Sequence, residues 1–155
     1  MPASQSCSRI RQASTSDLFR LADLFDRYRQ FYREHADFDL AQRFIEERLR
    51  RADSILLVAE IEPPELVGFT QLYPTLCSVS AAPIYVLYDL FVAPARRRLG
   101  IGRDLLIEAR RWAEHSGAVR MELATATGNT AAQKLYESLG WVRDAAFYRY
   151  NLPLR

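Results

Sequence analysis

The chain is poor in the residues that mark specialised architectures. It has two cysteines in 155 residues, Cys7 and Cys77, far apart and in no metal-ligand or redox spacing, so neither a disulfide framework nor a zinc site is expected, and both thiols read as reduced. The two histidines, His35 and His115, stand apart from other ligand-type residues and read as surface or helix-end side chains; no metal is predicted. No stretch approaches the roughly 20 apolar residues of a membrane span, and the first eight residues lack a basic segment followed by an apolar one. The expectation is a soluble, cytoplasmic protein without a membrane partner. An excess of charge of one sign is missing too: 21 basic against 19 acidic residues leave +2, too little to drive binding to nucleic acid, so any electropositive site must be local. There is no internal repeat and no Gly/Ser-rich linker.

What remains is ordinary in amount and informative in order. A hydrophobic content of 49% in 155 residues suffices for one core, and a single domain over 1–155 is expected. Ser8–Ala13 predicts a short strand. Ser14–Asp17 offers capping oxygens before a helical stripe of Leu18, Leu21, Phe25, Tyr28 and Tyr32, and Asp39 is placed to cap a second helix carrying Leu40, Phe44, Ile45 and Leu49. Ser54–Glu60 and Leu66–Tyr73 predict a hairpin, with Pro74 ending regular pairing, and Ile84–Val92 is apolar enough for a central strand buried on both faces. Ile101–His115 predicts an amphipathic helix stopped by Gly117, then come a strand at Val119–Thr125, a helix capped by Asn129 or Thr130 and ended by Gly140, and strands at Trp141–Val142 and Phe147–Leu152. The order β-αα-βββ-α-β-α-ββ mixes hairpins with crossovers and predicts an α/β fold, a mixed sheet covered by helices.

One segment carries chemistry. Residues 89–106 read D-L-F-V-A-P-A-R-R-R-L-G-I-G-R-D-L-L: a buried strand, a proline exit, a basic turn, two glycines and a helix start. The first N–H groups of a helix have no intrahelical partner and the helix dipole is positive there, so a loop wrapped round that end suits an anion. Two readings are open at this level: glycines that make a turn beneath a solvated arginine patch, or a main-chain cradle. The segment fits neither G-x-x-x-x-G-K-[ST] nor G-x-G-x-x-G, since Leu105 stands where the last glycine of the second would be.

Arg97-Arg98-Leu99-Gly100-Ile101-Gly102 resembles the R/Q-x-x-G-x-G/A signature of the GNAT superfamily of N-acetyltransferases, and L-A-T-A-T-G-N-T-A-A-Q-K-L-Y-E-S-L-G-W downstream is similar to that family's second block. The resemblance covers essentially the whole chain, is strongest over 84–142, and is closest to small bacterial members often labelled as similar to a yeast histone acetyltransferase. It implies the GNAT fold, in which the strand matching Ile84–Val92 carries a bulge and splays from its neighbour. It further implies acetyl-CoA as co-substrate: Leu90, Phe91 and Val92 would contact its arm through their backbones, and the amides from Arg97 through Arg98, Leu99, Gly100 and Ile101 to Gly102, with Arg103 beside them, would hold the pyrophosphate. Arg97 or Arg98 would reach the adenosine phosphate, and Asn129 would bond the cofactor arm, with a plain helix cap as its other reading. Tyr136 matches the tyrosine that in many relatives protonates the departing thiolate, a transfer that suits a phenol of pKa about 10 against a thiol of about 8.5. Its helical spacing with Ala132 and Leu139 also fits a core tyrosine.

The base is expected at Asp89, an acid in an apolar strand, which either accepts a proton from the amine, binds that amine, or serves in the sheet. Many relatives carry a glutamate one residue earlier, where this chain has Tyr88. The acceptor side, formed in the family by the first two helices, offers Tyr28, Tyr32, His35, Asp37 and Asp39, with Tyr88 nearby; Tyr28 and Tyr32, at i and i+4, fit either an amine pocket or the core. The function implied is transfer of acetyl from acetyl-CoA to a primary amine of a small molecule or protein in a ternary complex. The other reading is a non-catalytic acetyl-CoA-binding or sensing module. A homodimer is among the expected assemblies.

Overall fold

In the computed structural model, which describes residues 8–155, the chain forms two compact units, Met1–Leu123 and Ala124–Arg155. The first unit is a five-stranded sheet in the order β1-β2-β3-β4-β5 with three helices. Strand β1 (Arg9–Gln12) leads through a 3₁₀ turn (Thr15–Asp17) into α1 (Leu18–Phe31) and α2 (Phe38–Arg51). Strands β2 (Ile55–Glu60), β3 (Leu66–Cys77) and β4 (Ala82–Val92) follow as an antiparallel meander, then α3 (Ile101–His115) crosses to β5 (Met121–Glu122), which runs parallel to β4. The second unit holds α4 (Thr130–Ser138). Cys7 falls outside the described residues, and Cys77 is a free thiol.

The order read from sequence is reproduced through α4, with local differences that have physical reasons. Asp37, not Asp39, caps α2: its carboxylate accepts from the Leu40 N–H at 3.0 Å, which satisfies a first-turn donor two residues earlier than expected. Pro74 does not end β3. Strand β2 stops at Ile55, opposite Leu72, so beyond that point β3 has only β4 beside it, and the missing proline N–H falls on an open edge. Strand β5 is two residues long, not seven. The strands expected at Trp141–Val142 and Phe147–Leu152 are absent: residues 142–155 are all exposed, and the alternation at Tyr148-Arg149-Tyr150 marks two faces of a strand only where a neighbour supplies ladder bonds.

The core of the first unit lies between the sheet and the α1–α2 pair. Leu21, Leu24 and Phe25 of α1, with Ala41 and Ile45 of α2, pack on Leu56 and Val58 of β2, Phe69 of β3 and Phe91 of β4. Phe25 stacks on Phe44 at 5.2 Å between centroids and meets Phe69 edge-on at 6.1 Å. The opposite face of the sheet carries α3, whose Leu105, Leu106 and Ala109 are buried. At Gly68 the two strands come so close that an added Cβ would lie 2.9 Å from the Phe91 carbonyl oxygen and 3.4 Å from the Leu105 side chain. An ionic knot ties β1 to α1: Arg11 donates to both Asp17 oxygens, at 2.7 and 2.8 Å, and to Glu60 Oε1 at 3.1 Å. Asp17 is buried, and the Arg11 guanidinium holds its carboxyl well below the usual range.

Two outcomes follow for stability. Gly68→Ala is expected to destabilise the protein by about 1–3 kcal/mol in urea unfolding, whereas Gly128→Ala, whose added methyl meets nothing within 4 Å, changes stability by no more than about 0.5 kcal/mol. Because the folded-state pKa of Asp17 is depressed, its contribution is complete above the unfolded value of about 3.9 and is lost as pH falls below it. Unfolding midpoints measured from pH 7 to pH 3 should therefore fall, and Asp17→Asn should be about 2 kcal/mol less stable at pH 7 with a shallower acid slope.

Candidate active site

The site is organised by an irregularity in β4. Gln71 pairs with Asp89 but the next residue of β3, Leu72, pairs with Leu87, so Tyr88 is an extra residue in β4. Cross-strand partners share a face. Asp89 therefore lies on the face of Gln71, with Phe69 and Phe91, beneath α1, while Leu87 lies with Leu72 on the other. Tyr88 is 66% exposed, and its ring meets Tyr73, the α1-side neighbour of Gln71 along β3, at 5.8 Å. The bulge expected from the resemblance is thus present at Tyr88.

Asp89 is 5% exposed and has no guanidinium or ammonium among its described contacts. Gln71 Nε2 donates to its Oδ2 at 2.8 Å, Ser54 Oγ donates to Gln71 Oε1 at 2.8 Å, and Thr70 Oγ1 donates to its main-chain carbonyl at 2.7 Å. Burial pushes the Asp89 carboxyl up from its ordinary value, and the hydrogen bonds from Gln71 and Tyr28 offset part of that rise. The Tyr28 hydroxyl, 3.5 Å from the Tyr88 carbonyl and so only weakly bonded there, faces the same carboxylate; burial and then the Asp89 charge push its own pKa up. Its ring is packed edge-on against Phe69 at 5.7 Å and Phe91 at 6.1 Å. Tyr28 is thus a core wall with a polar tip, and Tyr32, whose ring meets it at 5.1 Å, is half exposed.

Beside Asp89 the sheet opens. Strands β4 and β5 pair only at Tyr85–Met121 and Val86–Glu122, so from Leu87 onward β4 has no ladder on that edge. The Ala93 N–H donates to Val67 O at 2.8 Å, which sets the phase of the β3 ladder. Phe91 therefore directs its main-chain groups to β3, opposite Phe69, while those of Leu90 and Val92 point to the open edge. Of the three backbones expected to meet a cofactor arm, that of Phe91 is committed within the sheet.

The turn after β4 passes a 3₁₀ segment (Pro94–Arg96) and enters α3 through Gly100, whose φ of +84° is left-handed and suits glycine. The first intrahelical bond runs from Asp104 N–H to Gly100 O at 3.0 Å, so the N–H groups of Ile101 and Gly102 precede any intrahelical acceptor. A Cβ at Gly100 would meet nothing within 4 Å: the space in front of the loop is open. Arg98, itself left-handed at φ +64°, and Leu99 are exposed, Ile101 is buried, and Arg103 is in the first helical turn. Arg97 is exposed, and its side chain lies back along the end of β4 and the end of α1. Its Nε donates to the Val92 carbonyl at 2.9 Å and its guanidinium carbon lies 5.6 Å from the ring centres of both Phe31 and Phe91.

In the second unit Asn129 caps α4, its Oδ1 accepting from the Ala132 N–H at 3.3 Å. Tyr136 lies on α4, half-buried, with its ring 6.1 Å from that of Trp141. His35, Asp37 and Asp39 are exposed at the start of α2, and among the described residues no group of His, Cys, Asp and Glu side chains is arranged to hold a metal. No helix of the described residues is long and apolar enough to cross a membrane. Gln71 and Ser54 were missed from the sequence. The signal was there in F-T-Q-L-Y: with Phe69 and Tyr73 facing inward, period two puts a polar Gln71 on the same buried face.

Comparison with known proteins bears on this arrangement. The model of the acetyltransferase (GNAT) family matches residues 18–141. A curated relative from Bacillus subtilis (strain 168), the uncharacterized N-acetyltransferase YhfO, is 45% identical over 148 residues, covering 94% of this chain and 99% of its own. An aminoglycoside N(6')-acetyltransferase type 1 of Salmonella typhimurium is 31% identical over 71 residues, 44% of this chain and 49% of that protein. Among solved structures, that of a probable acetyltransferase superposes with a TM-score of 0.89 at 39% identity, covering 95% of this chain and 98% of the other. An aminoglycoside acetyltransferase from a soil metagenome, in complex with sisomicin, shares the fold at a TM-score of 0.75 and 20% identity, over 94% and 97% of the two chains. A match that runs from α1 past α4, and a relative alike along nearly its whole length, leave one assignment: the chain belongs to the acetyltransferase (GNAT) family.

Proposed function

We propose that this acetyltransferase uses acetyl-CoA to acetylate a primary amine of a small molecule or protein by direct attack in a ternary complex, with residues 1–155 acting as one domain in the cytoplasm. The observation that carries the reading is the pairing of an open β4 edge with an adjacent helix N-terminus whose approach is clear at Gly100. Both features fit the co-substrate: Leu90 and Val92 would pair with an extended amide arm as a strand does, and the amides of residues 97–102 would hold a diphosphate. When bound, it supplies an acetyl group activated as a thioester. The chain's own residues do the rest. Arg98 and Arg103 add positive charge near the cradle, and Asn129 and Tyr136 take the roles the family resemblance gives them, a bond to the arm and protonation of the departing sulfur.

Asp89 is the base in this reading. An alkyl ammonium has a pKa of about 10.4 and must lose a proton before it attacks, and a carboxylate pushed up by burial accepts one more readily than an exposed carboxylate does. The phenols of Tyr28, Tyr32 and Tyr88 make an amphipathic rim for the acceptor. Aminoglycoside acetylation by a partial relative, and by proteins of the same fold, makes aminoglycosides a sensible part of a substrate panel. The same cradle without turnover would be a sensor of acetyl-CoA.

Titration calorimetry with coenzyme A should give a binding isotherm, and the double variant Gly100→Val, Gly102→Val should weaken binding at least about tenfold; no affinity in the parent protein overturns the reading. With acetyl-CoA and a panel of sisomicin, spermidine, lysine and a short peptide with a free N-terminus, thiol release should mark the enzyme, and binding without turnover across the panel the sensor. Tyr136→Phe should lower kcat about 100-fold with coenzyme A affinity retained. The raised Asp89 pKa fixes the sign of the pH dependence: kcat/KM should fall as pH drops through a value above the ordinary carboxylate range, and Asp89→Asn should abolish that limb.

A further inference from the structure

Three buried polar side chains on neighbouring stretches of the sheet form a chain that no packing requirement explains. Ser54, just before β2, is 8% exposed, Gln71 in the middle of β3 is 0% exposed, and Asp89 in β4 is 5% exposed. The bonds have one direction: Ser54 Oγ to Gln71 Oε1, then Gln71 Nε2 to Asp89 Oδ2, each 2.8 Å. A carboxamide has one acceptor oxygen and one donor nitrogen. An ionised carboxylate only accepts, so it takes the amide N–H, and the Ser54 hydroxyl, which can donate or accept, then donates to the carboxamide oxygen at the other end. Buried polar groups that lose such partners carry the full cost of desolvation, so the chain is stable only when all three members are in place.

Resting on the reading of Asp89 as base, we propose that Gln71 is a positioning residue for that base and that Ser54 holds the far end of its amide, so that Asp89 Oδ1 is the oxygen that takes the proton from the acceptor ammonium. In the step an N–H bond of the ammonium breaks and an O–H bond forms at Oδ1, giving a neutral amine and a neutral carboxylic acid. Oδ2 keeps the Gln71 bond in both protonation states. The oxygen unengaged by Gln71 is the one left for substrate. Among the described residues the titratable groups acting with Asp89 are Tyr28 from α1 and Tyr73 from β3, with Tyr32 and Tyr88 acting on Tyr28 and with Arg48, Asp53 and Tyr88 acting on Tyr73. Helix α3 packs on the opposite face, through Leu105 at Gly68, and β5 pairs with β4 only at Tyr85 and Val86. The Gln71 amide is thus the donor whose removal most directly disfavours the ionised form.

The test titrates Asp89 itself, in the whole protein labelled with carboxyl-¹³C aspartate, its resonance assigned by difference with Asp89→Asn. Gln71→Met, of similar length and without a donor, should raise the Asp89 pKa by about one unit or more, and Ser54→Ala should move it in the same direction by less. Should Gln71→Met fail to fold by circular dichroism, Ser54→Ala alone decides. An Asp89 titration unchanged in every folded variant overturns the proposal while leaving Asp89 as base intact. The acid limb of kcat/KM for the fastest amine of the panel should move with the resonance, and for a pKa raised by about one the rate at low pH should drop about tenfold. A resonance that moves while the limb stays fixed overturns the base assignment, and the positioning role with it.

Discussion

The pairing of β3 with β4 is the constraint on which the rest depends. One surplus residue, Tyr88, interrupts an otherwise regular antiparallel ladder, and its effect is to change which face the following residues present. Downstream of it, Asp89 and Phe91 share the α1 side with Gln71 and Phe69. A carboxylate is thereby carried into a layer of aromatic rings, where its charge costs free energy that the Gln71 amide and the Tyr28 hydroxyl only partly return. Structural economy would replace such an acid with an aliphatic residue; chemistry that needs a carboxylate ready to accept a proton has use for it.

The second half of the arrangement is made almost entirely of main chain. The edge of β4 beyond Val86 and the first turn of α3 offer hydrogen-bonding groups that regular structure leaves over, and they adjoin because a single short turn connects them. Being main chain, neither feature depends on the small net charge of +2. The arginines at 96–98 have different partners: Arg96 pairs with Glu65 at 3.3 Å, Arg97, though exposed, lies near the rings of Phe31 and Phe91, and Arg98 is exposed.

Features held by local rules were legible in the sequence. The start of α3 at Ile101, its stop at Gly117, the stripe on α1 and the strand at Ile84–Val92 all follow from composition within one or two turns of chain. Asp37 and Asp39 were locally equivalent as caps, and only the fold of the connection chose between them. What depends on a neighbour was not legible. Pro74 sits comfortably in β3 because β2 has already ended, and the alternation at Tyr148–Tyr150 yields no strand because alternation by itself supplies no ladder bonds. The link from Ser54 to Asp89 is of the same kind, since it spans three segments and their registry includes an insertion that no periodicity reveals.

Arg97 has a wider consequence. Its side chain simultaneously caps an outward-facing carbonyl of β4 and bridges the last residue of α1 to the strand below it. The end of α1 and the turn that follows β4 are thus joined through one side chain as well as through the sheet. Replacing that one residue would remove at a stroke a contact that α1, β4 and the turn leading into α3 hold in common.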